Sequence, residues 1–266
     1  MDGWDPSAYL RFSDERTRPA VDLASRIALE SPDSVIDLGC GPGNSTAVLK
    51  RRWPAARVVG LDSSPAMIEA ASHSHPDDDW VVADIASWLP ESRFDLVFSN
   101  AALQWIPNHG RLVTELFGRV SEHGALGFQI PSATYALVRT LIHEIALQGP
   151  WAPRMHAPLA ALTMESPGFY YDRLAPVARS VDVWETDYIH VMDGPDAIVD
   201  WIASTGLRPF LDALESDAER AAFRDRLLKR VAQGYPLQVD GRILFPFRRT
   251  FVIAYAQRRH PRSTLS

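Results

Sequence analysis

Glycines and aspartates stand together where the predicted strands of the first half end. The segment I-D-L-G-C-G-P-G-N-S-T, residues 36–46, spaces three glycines two apart directly after an apolar run. Asp37 precedes these glycines, Asp62 ends the next predicted strand, and Asp84 ends the one after it. A carboxylate after the second strand can accept hydrogen bonds from both hydroxyls of a ribose. A carboxylate ahead of the glycine turn would repel a pyrophosphate but suits a cation, so these residues predict a pocket for a positively charged nucleoside.

The glycine loop matches neither of the two common phosphate-binding patterns. A G-x-x-x-x-G-K-[ST] loop needs a lysine, whereas Gly39, Gly41 and Gly43 are followed by Asn44 and Ser45. A dinucleotide fold needs a small residue at the end of G-x-G-x-x-G/A, and neither frame of this loop supplies it. The spacing therefore argues against a triphosphate and against a dinucleotide.

Apolar periodicity places the glycine loop and the aspartates at one edge of a sheet. Strand-like and helix-like segments alternate through the first half, which predicts an α/β fold with a mostly parallel sheet and helices on both faces. In such sheets ligands bind at the carboxyl ends of the strands, near the point where the strand order reverses. We predict strands at 34–38, 57–62, 80–84, 94–100 and 125–131, and helices at 45–53, 64–72 and 110–120.

The second half predicts helical insertions around the last strands of the sheet. A helix over 134–148 precedes a proline-containing stretch, a long strand over 179–192, helices between 195 and 234, and a last strand over 242–256. We expect the insertions flanking the sixth strand to form a cap. The predicted division is an N-terminal lid or helical segment at 1–30, a cofactor-binding core at 31–133, helices and a cap insertion at 134–178, the sixth core strand at 179–192, a helical cap insertion at 193–236, and the last core strand with a tail at 237–266.

Composition and charge limit the class of protein. The 266 residues carry a formal net charge of −6, whereas a general nucleic-acid binder needs a basic surface to displace counterions. Cys40 is the only cysteine, so no disulfide can form within the chain, as is typical of a reducing compartment. The first residues lack the basic and apolar regions of a secretory signal, and no apolar run has the length of a membrane span. We expect a cytoplasmic globular protein with neither a nucleic-acid nor a membrane partner.

Four motifs resemble those of the class I S-adenosylmethionine-dependent methyltransferases. They are D-L-G-C-G-P-G (37–43), G-L-D-S-S-P (60–65), V-A-D-I (82–85) and F-D-L-V-F-S-N (94–100), and their order and spacing match that family. The resemblance implies a Rossmann-like sheet that binds S-adenosyl-L-methionine as cofactor.

This resemblance also implies which residues bind the cofactor. The glycine loop would line its methionine end, Asp62 would bind the ribose, and Asp84 with Ile85 would contact the adenine. Met67 is the apolar residue beside the adenine, and Asn100 follows the fourth strand near the sulfonium. The full expected set is Asp37, Gly39, Cys40, Gly41, Gly43, Asp62, Ser63, Met67, Asp84, Ile85, Asn100 and Ala102.

Residues near the fourth strand and near the N-terminus point to the acceptor of the methyl group. A carboxylate with a pKa of about 4 is already ionised near neutral pH and needs no general base. The sequence shows no obvious acid–base dyad, which is compatible with a carboxylate acceptor. Residues 4–19 combine aromatic side chains with Arg16 and Arg18, and Gln104 and Trp105 come just beyond the fourth strand. Arginine suits a planar carboxylate because it can donate two parallel hydrogen bonds to it.

Motifs over nearly the whole chain resemble the trans-aconitate methyltransferases, a narrower family within this class. The most specific are D-W-I-A-S-T-G-L-R-P-F-L (200–211) and Y-P-L-Q-V-D-G-R-I-L (235–244), which lie outside the core. The resemblance implies esterification of one carboxylate of trans-aconitate, a small polycarboxylate, with S-adenosylhomocysteine as the second product and without a metal. We expect arginines to neutralise the substrate, aromatic side chains to exclude water and glutamines to orient the acceptor oxygen. The expected substrate-binding residues are Tyr9, Arg16, Arg18, Gln104, Trp105, Gln129, Tyr170, Tyr171 and Arg208.

Three other functions stay open at the level of sequence. The same scaffold could methylate another small carboxylic acid or a hydroxyl metabolite. A nicotinamide-dependent oxidoreductase uses a similar sheet, although the glycine spacing disfavours it. A cofactor-sensing protein without catalysis would use the cap as a surface for a partner.

Overall fold

The structure is a computed structural model that describes residues 13–256 except positions 89, 91, 134–136 and 204, with side chains from Arg16 onward. Tyr9, one of the expected substrate-binding residues, therefore lies outside the described residues. The strands are β1 (Ser34–Leu38), β2 (Arg57–Asp62), β3 (Asp79–Val82), β4 (Phe94–Asn100), β5 (Val120–Pro131), β6 (Ser180–Met192) and β7 (Ile243–Tyr255). The helices are α1 (Ser13–Arg26), α2 (Asn44–Arg52), α3 (Pro65–Ser74), α4 (His109–Phe117), α5 (Leu137–Gln148), α6 (His156–Leu159), α7 (Pro167–Leu174), α8 (Pro195–Ala203), α9 (Arg208–Asp212) and α10 (Asp217–Gly234).

The strands form one seven-stranded sheet in the order β3-β2-β1-β4-β5-β7-β6. Strands β1 to β5 pair in parallel, and β7 lies antiparallel between β5 and β6. The order reverses between β1 and β4, because the chain leaves β1 toward β2 on one side and returns to β4 on the other. The carboxyl ends of β1 and β4 therefore border a crevice in which ligands bind in sheets of this kind. The predicted α/β class is confirmed.

Helices cover both faces of the sheet because each presents one apolar side to it. On one face, α1 and α2 pack against the sheet through a cluster that includes Leu23, Ile27 and Leu49. On the other face, α4 and α7 pack through a cluster that includes Val113 and Leu174. No helix in the described part of the chain combines the length and the apolarity needed to cross a bilayer.

A further core joins the helices of the second half to the far ends of β6 and β7. Its largest buried side chains include Trp151, Phe223 and Phe245, and helices α5, α8 and α10 all contribute to it. Helix α10 begins at the cap residue Ser216, whose hydroxyl accepts a hydrogen bond from Glu219 N at 3.2 Å. We call helices α5, α6 and α8 to α10 the cap; residues of α5, α6, α8 and α9 line a cavity together with Pro131, at the carboxyl end of β5.

Several element boundaries differ from the predictions made from sequence, among them the start of the strand expected over 125–131, which is Val120. The helix expected over 110–120 ends at Phe117, since Gly118 caps it and Val120 already pairs with Phe94 in the sheet. The strand expected over 80–84 ends at Val82. Asp84 lies beyond it in a turn, where its Oδ1 accepts a hydrogen bond from Ala86 N at 2.9 Å.

Candidate active site

The glycine loop after β1 adopts a backbone conformation that favours glycine. Gly39, Gly41 and Gly43 have φ angles of +70°, +55° and +94°. A Cβ at Gly39 would lie 2.2 Å from the Cβ of Ala102, so a larger residue cannot occupy that position. A Cβ at Gly41 would have no atom within 4 Å. The loop is thus closely packed at its first glycine and faces open space at its second.

Asp62, at the end of β2, holds this loop in place. Its Oδ2 accepts a hydrogen bond from Gly41 N, and its Oδ1 accepts one from Ser64 N, both at 2.9 Å. The backbone reinforces the contact, because Gly39 N donates to Leu61 O at 2.7 Å. Burial raises the pKa of Asp62. The carboxylate predicted to bind a ribose therefore lies directly beside the open face of the glycine loop.

Asp37 is fully buried beneath the loop. Its Oδ2 accepts hydrogen bonds from Ser45 Oγ at 2.6 Å and Thr46 Oγ1 at 2.7 Å. Its Oδ1 is buried with no hydrogen-bond partner among the described residues, and no described arginine or lysine forms an ion pair with it. Burial raises the pKa of this carboxyl to about 6, and the neighbouring charge of Asp62 adds to the rise. This oxygen can accept a hydrogen bond from a cationic ligand group.

The backbone after β4 is strained where it meets the loop. Ala101 has a φ of +56°, which costs a residue with a Cβ about 1 kcal/mol. Two hydrogen bonds hold it, since Ala101 N donates to Gln129 O at 2.9 Å and Gln104 Nε2 donates to Ala101 O at 2.7 Å. The turn presses Ala102 onto Gly39. It therefore brings the carboxyl end of β4 against the glycine loop.

A buried polar chain runs from Asn100, at the end of β4, to β7. Asn100 Nδ2 donates to the backbone oxygen of Arg16 at 3.5 Å, and Asn100 Oδ1 accepts from Gln129 Nε2 at 2.6 Å. Gln129 Oε1 in turn accepts from Arg249 Nη1 at 3.2 Å. The side chain of Gln129 is fully buried, and its oxygen and its nitrogen each have a partner within the protein. These contacts position Asn100, and the expected contact of Gln129 with the acceptor stays a prediction.

The remaining residues expected at the cofactor differ in their exposure. The Cδ1 of Ile85 lies 3.7 Å from the position that a Cβ of Gly39 would take, so the turn after β3 reaches the loop. Asp84 and Ser63 are exposed beside it. Met67 is buried on α3. Ser63 and Met67 follow β2, and Asp84 and Ile85 follow β3.

Cys40 is a buried side chain of the loop, 3% exposed. Burial and the charge of Asp37 raise the pKa of its thiol, which leaves it protonated and unreactive at neutral pH. Cys40 thus fills space in the loop.

A cavity of about 120 Å³ lies beyond β4, beneath the cap. Its lining is mostly apolar and, among the described residues, includes no aspartate or glutamate. The backbone oxygen of Gln104 accepts a hydrogen bond from Thr163 N at 2.8 Å, which fixes the cap to the site. The cavity is lined by Gln104, Trp105, Pro131, Ser132, Val138, Arg139, Ile142, His143, Pro158, Leu159, Leu162, Met164, Ile202, Thr205, Gly206, Phe210, Phe247 and Arg248.

Of the residues expected to bind substrate, Gln104 and Trp105 line this cavity. Gln104 is 5% exposed, and its Oε1 is a buried acceptor without a partner among the described residues. Arg16 does not line the cavity; it is buried, with its guanidinium 5.3 Å from the ring centroid of Trp201 on α8. These three side chains lie between the carboxyl end of β4, helix α1 and the cap.

The two tyrosines expected in the pocket lie elsewhere. Tyr170 is fully buried in the core between α7 and the sheet, and its hydroxyl is 2.5 Å from Nδ1 of His109. Tyr171 is 51% exposed on the outer side of the same helix. Neither lines the cavity, because α7 docks with Tyr170 inward, on the core. The expected role of one of them in excluding water from the substrate stays a prediction.

Two of the expected arginines also lie outside the cavity lining. Arg18 is exposed on α1, with its guanidinium 5.3 Å from the centroid of the Tyr188 ring. Arg208 begins α9, and its Nε lies 3.4 Å from Oδ2 of Asp212 one turn away. The structure therefore does not support direct substrate contact by these two side chains.

Reasoning from sequence missed Arg139 and His143, which line the cavity from α5. Both interrupt the apolar face of that helix, next to the buried residues Val138 and Ile142. The sequence does carry a signal for these two residues: an arginine lies one helical turn before a histidine on a helix whose buried residues are all apolar. Such a side chain needs a polar partner when that apolar face is buried.

Comparison with known proteins agrees with this architecture. A family model described as a methyltransferase domain matches residues 36–128. A trans-aconitate 2-methyltransferase from Methylobacterium radiotolerans is 47% identical over 96% of this chain and 98% of its own. One from an Azoarcus species is 44% identical over 96% of this chain and 99% of its own. The crystal structure of the YcgJ protein from Bacillus subtilis has a TM-score of 0.58 at 13% identity, covering 90% of this chain and 99% of that one, and shows the same fold.

The similarity to the enzymes extends from the glycine loop through the cap and leaves no large part of either chain unmatched. The chain belongs to the trans-aconitate 2-methyltransferase family.

Proposed function

We propose that this protein transfers a methyl group from S-adenosyl-L-methionine to one carboxylate of trans-aconitate, yielding the monomethyl ester and S-adenosylhomocysteine. The observation that carries the proposal is full-length identity of 44–47% to curated trans-aconitate 2-methyltransferases. The site supports it, because an acidic cofactor pocket lies next to a cavity whose described lining contains arginine and no carboxylate. The substrate is a small molecule.

The residues around the glycine loop fit the cofactor. The buried, unpartnered Oδ1 of Asp37 suits the ammonium group of its methionine part. The open space at Gly41 leaves room for the ligand, and Asp62 beside it can accept from the ribose hydroxyls. Asp84 and Ile85 would contact the adenine, and Asn100 would lie near the sulfonium. Two aspartates with no ion pair among the described residues also disfavour a pyrophosphate.

When bound, S-adenosylmethionine supplies an electrophilic methyl group. The protein then has to align the acceptor carboxylate and exclude water, and alignment alone contributes several kcal/mol to such a reaction. Gln104 and Trp105 lie where the cavity meets the end of β4 and would position the acceptor. No residue has to remove a proton, because the acceptor carboxylate is already ionised at neutral pH.

Arg16 remains part of this proposal as a substrate-binding residue. It is 6% exposed, its backbone oxygen bonds Asn100, and its guanidinium lies over Trp201 of the cap. A guanidinium at this junction can interact with a polyanion that spans the cavity. Helix α1 and the cap would close the acceptor side of the site together.

Turnover with a panel of acceptors tests the proposed function. Purified protein and radiolabelled methyl donor would be incubated with trans-aconitate, with other small carboxylic acids and with hydroxyl metabolites of similar size. We expect base-labile label to appear in the trans-aconitate product at the highest kcat/KM. Preferential labelling of a hydroxyl acceptor, or tight donor binding with no labelled product, would overturn the proposal.

A further inference from the structure

Arg139 is a half-buried cation without an ionic partner in the part of the chain that the structure describes. It lines the cavity from α5, and the only hydrogen bond that it makes to a described residue is from Nη1 to Sδ of Met164 at 3.8 Å. Burial lowers the pKa of its guanidinium, with no carboxylate nearby to oppose the effect. A guanidinium is nonetheless always charged in proteins, and a thioether is a weak acceptor for it. No described carboxylate therefore compensates for the partial burial of this charge.

Three other arginines in the second half of the chain each pair with a carboxylate. Arg154 pairs with Glu219 at 2.6 Å, Arg224 pairs with Asp200 at 2.9 Å, and Arg230 pairs with Glu144 at 2.6 Å. Each of these arginines lies outside the cavity lining. Arg139 differs from them in both its location and its lack of a carboxylate.

The remaining charges at the cavity do not neutralise Arg139. Arg248 is bound by both carboxylate oxygens of Asp187, at 2.8 Å each, and so brings its own counter-charge. His143 lies one turn from Arg139 on the same helix. Burial and the charge of Arg139 lower the pKa of His143, so its ring is neutral at pH 7. Among the described residues that line the cavity, Arg139 is thus a positive charge without a carboxylate partner.

We propose that this cavity is the acceptor subsite and that Arg139 binds a carboxylate of the acceptor other than the one that is methylated. The inference rests on the proposed function and assigns a residue to a part of the substrate that is not methylated. The methylated group has to lie by Gln104 and Trp105, next to the end of β4 and the glycine loop. A second carboxylate held by two parallel hydrogen bonds from Arg139 would fix the orientation of the substrate. Val138, Ile142 and Phe247 would contact its hydrocarbon part.

Substitution of Arg139 by Met or Lys, with Arg224→Met as the matched control, tests this assignment. Arg139→Met should raise the KM for trans-aconitate about 10- to 100-fold, the usual value of a hydrogen-bonded charge pair. It should leave the affinity for S-adenosylhomocysteine within about twofold, since Arg139 is not part of the glycine loop. Arg139→Lys should have a KM between those of wild type and Arg139→Met, because lysine keeps the positive charge but cannot donate two parallel hydrogen bonds. Arg224→Met should behave as wild type in both measurements.

Two further measurements separate substrate binding from a structural role. Calorimetric titration of trans-aconitate into the complex with S-adenosylhomocysteine, where no reaction can occur, should show the same loss of affinity in Arg139→Met. For crotonate, an acid with a single carboxylate, the kcat/KM of wild type and Arg139→Met should be alike. An unchanged KM and an unchanged titration in Arg139→Met, with wild type active, would overturn only the assignment of Arg139. Wild type that fails to methylate trans-aconitate would overturn the proposed function and this inference with it.

Discussion

Gly41→Asn is expected to leave the protein folded and to weaken S-adenosylhomocysteine binding about 100-fold or more. Gly41 has a φ of +55°, a region that asparagine tolerates better than other residues with a Cβ. A Cβ there would have no atom of the described residues within 4 Å, and the hydrogen bond from its backbone N–H to Asp62 is kept. The new side chain would occupy the space we assign to the cofactor, and overpacking of about 3 kcal/mol corresponds to a 100-fold loss. Calorimetric titration with S-adenosylhomocysteine measures this loss of affinity.

Gly241→Asn provides a matched control for this substitution. Gly241 has a φ of +81° in the turn before β7, and a Cβ there also has nothing within 4 Å. Both variants should lose about 1 kcal/mol of unfolding free energy from the left-handed conformation. Only Gly41→Asn should bind S-adenosylhomocysteine more weakly than wild type. Equal affinity in the two variants would mean that the cofactor does not lie against the glycine loop.

Asp37→Asn is expected to change the pH dependence of stability by about 3 kcal/mol. Burial raises the pKa of Asp37 from 3.8 to about 6 in the folded protein. A raised pKa means that the stabilising contribution is complete below pH 4 and is lost as the pH rises through 6. Asparagine does not titrate, so the unfolding free energy of the variant relative to wild type should rise by about 3 kcal/mol between pH 4 and pH 7. Urea denaturation of the protein without cofactor, at four pH values, measures this difference.

The same variant should bind S-adenosylhomocysteine more weakly, because the ammonium group loses its carboxylate. For the stability measurement, Asp33→Asn is the control. Asp33 is an exposed aspartate just before β1, and its carboxylate is solvated in the folded and unfolded states. The unfolding free energy of this variant should depend on pH as that of wild type does. Parallel curves for Asp37→Asn and wild type would show that the Asp37 carboxyl is not destabilised by burial.

The cofactor half of the site could be predicted from sequence because its signals are local. Three glycines two apart require a turn with positive φ angles, and the structure has those angles at Gly39, Gly41 and Gly43. An aspartate at the end of a strand in a parallel sheet must lie at the carboxyl edge, and Asp62 contacts the loop there. The Rossmann-like sheet follows from the same alternation of strands and helices. Each of these inferences depends on residues close together in the chain.

The acceptor half depends on tertiary packing, which residue types alone do not specify. In P-G-F-Y-Y-D the two adjacent tyrosines point to different sides of α7, and only the docking of the helix decides that Tyr170 enters the core. Gln129 looks like a polar residue at a strand end, yet its amide nitrogen donates to Asn100 of β4 and its amide oxygen accepts from Arg249 of β7. Arg139 becomes significant only once every described carboxylate is placed and none is found beside it.

The central claim is that a carboxylate oxygen of trans-aconitate accepts the methyl group directly. The most direct test uses trans-aconitate labelled with ¹⁸O in its carboxylates, a donor with a trideuterated methyl group, and mass spectrometry of the product. We predict a monomethyl ester that carries the trideuterated methyl group and retains all of its ¹⁸O, since the new bond joins a carboxylate oxygen to the methyl carbon. An ester that has lost ¹⁸O, or no ester at all, would contradict the account.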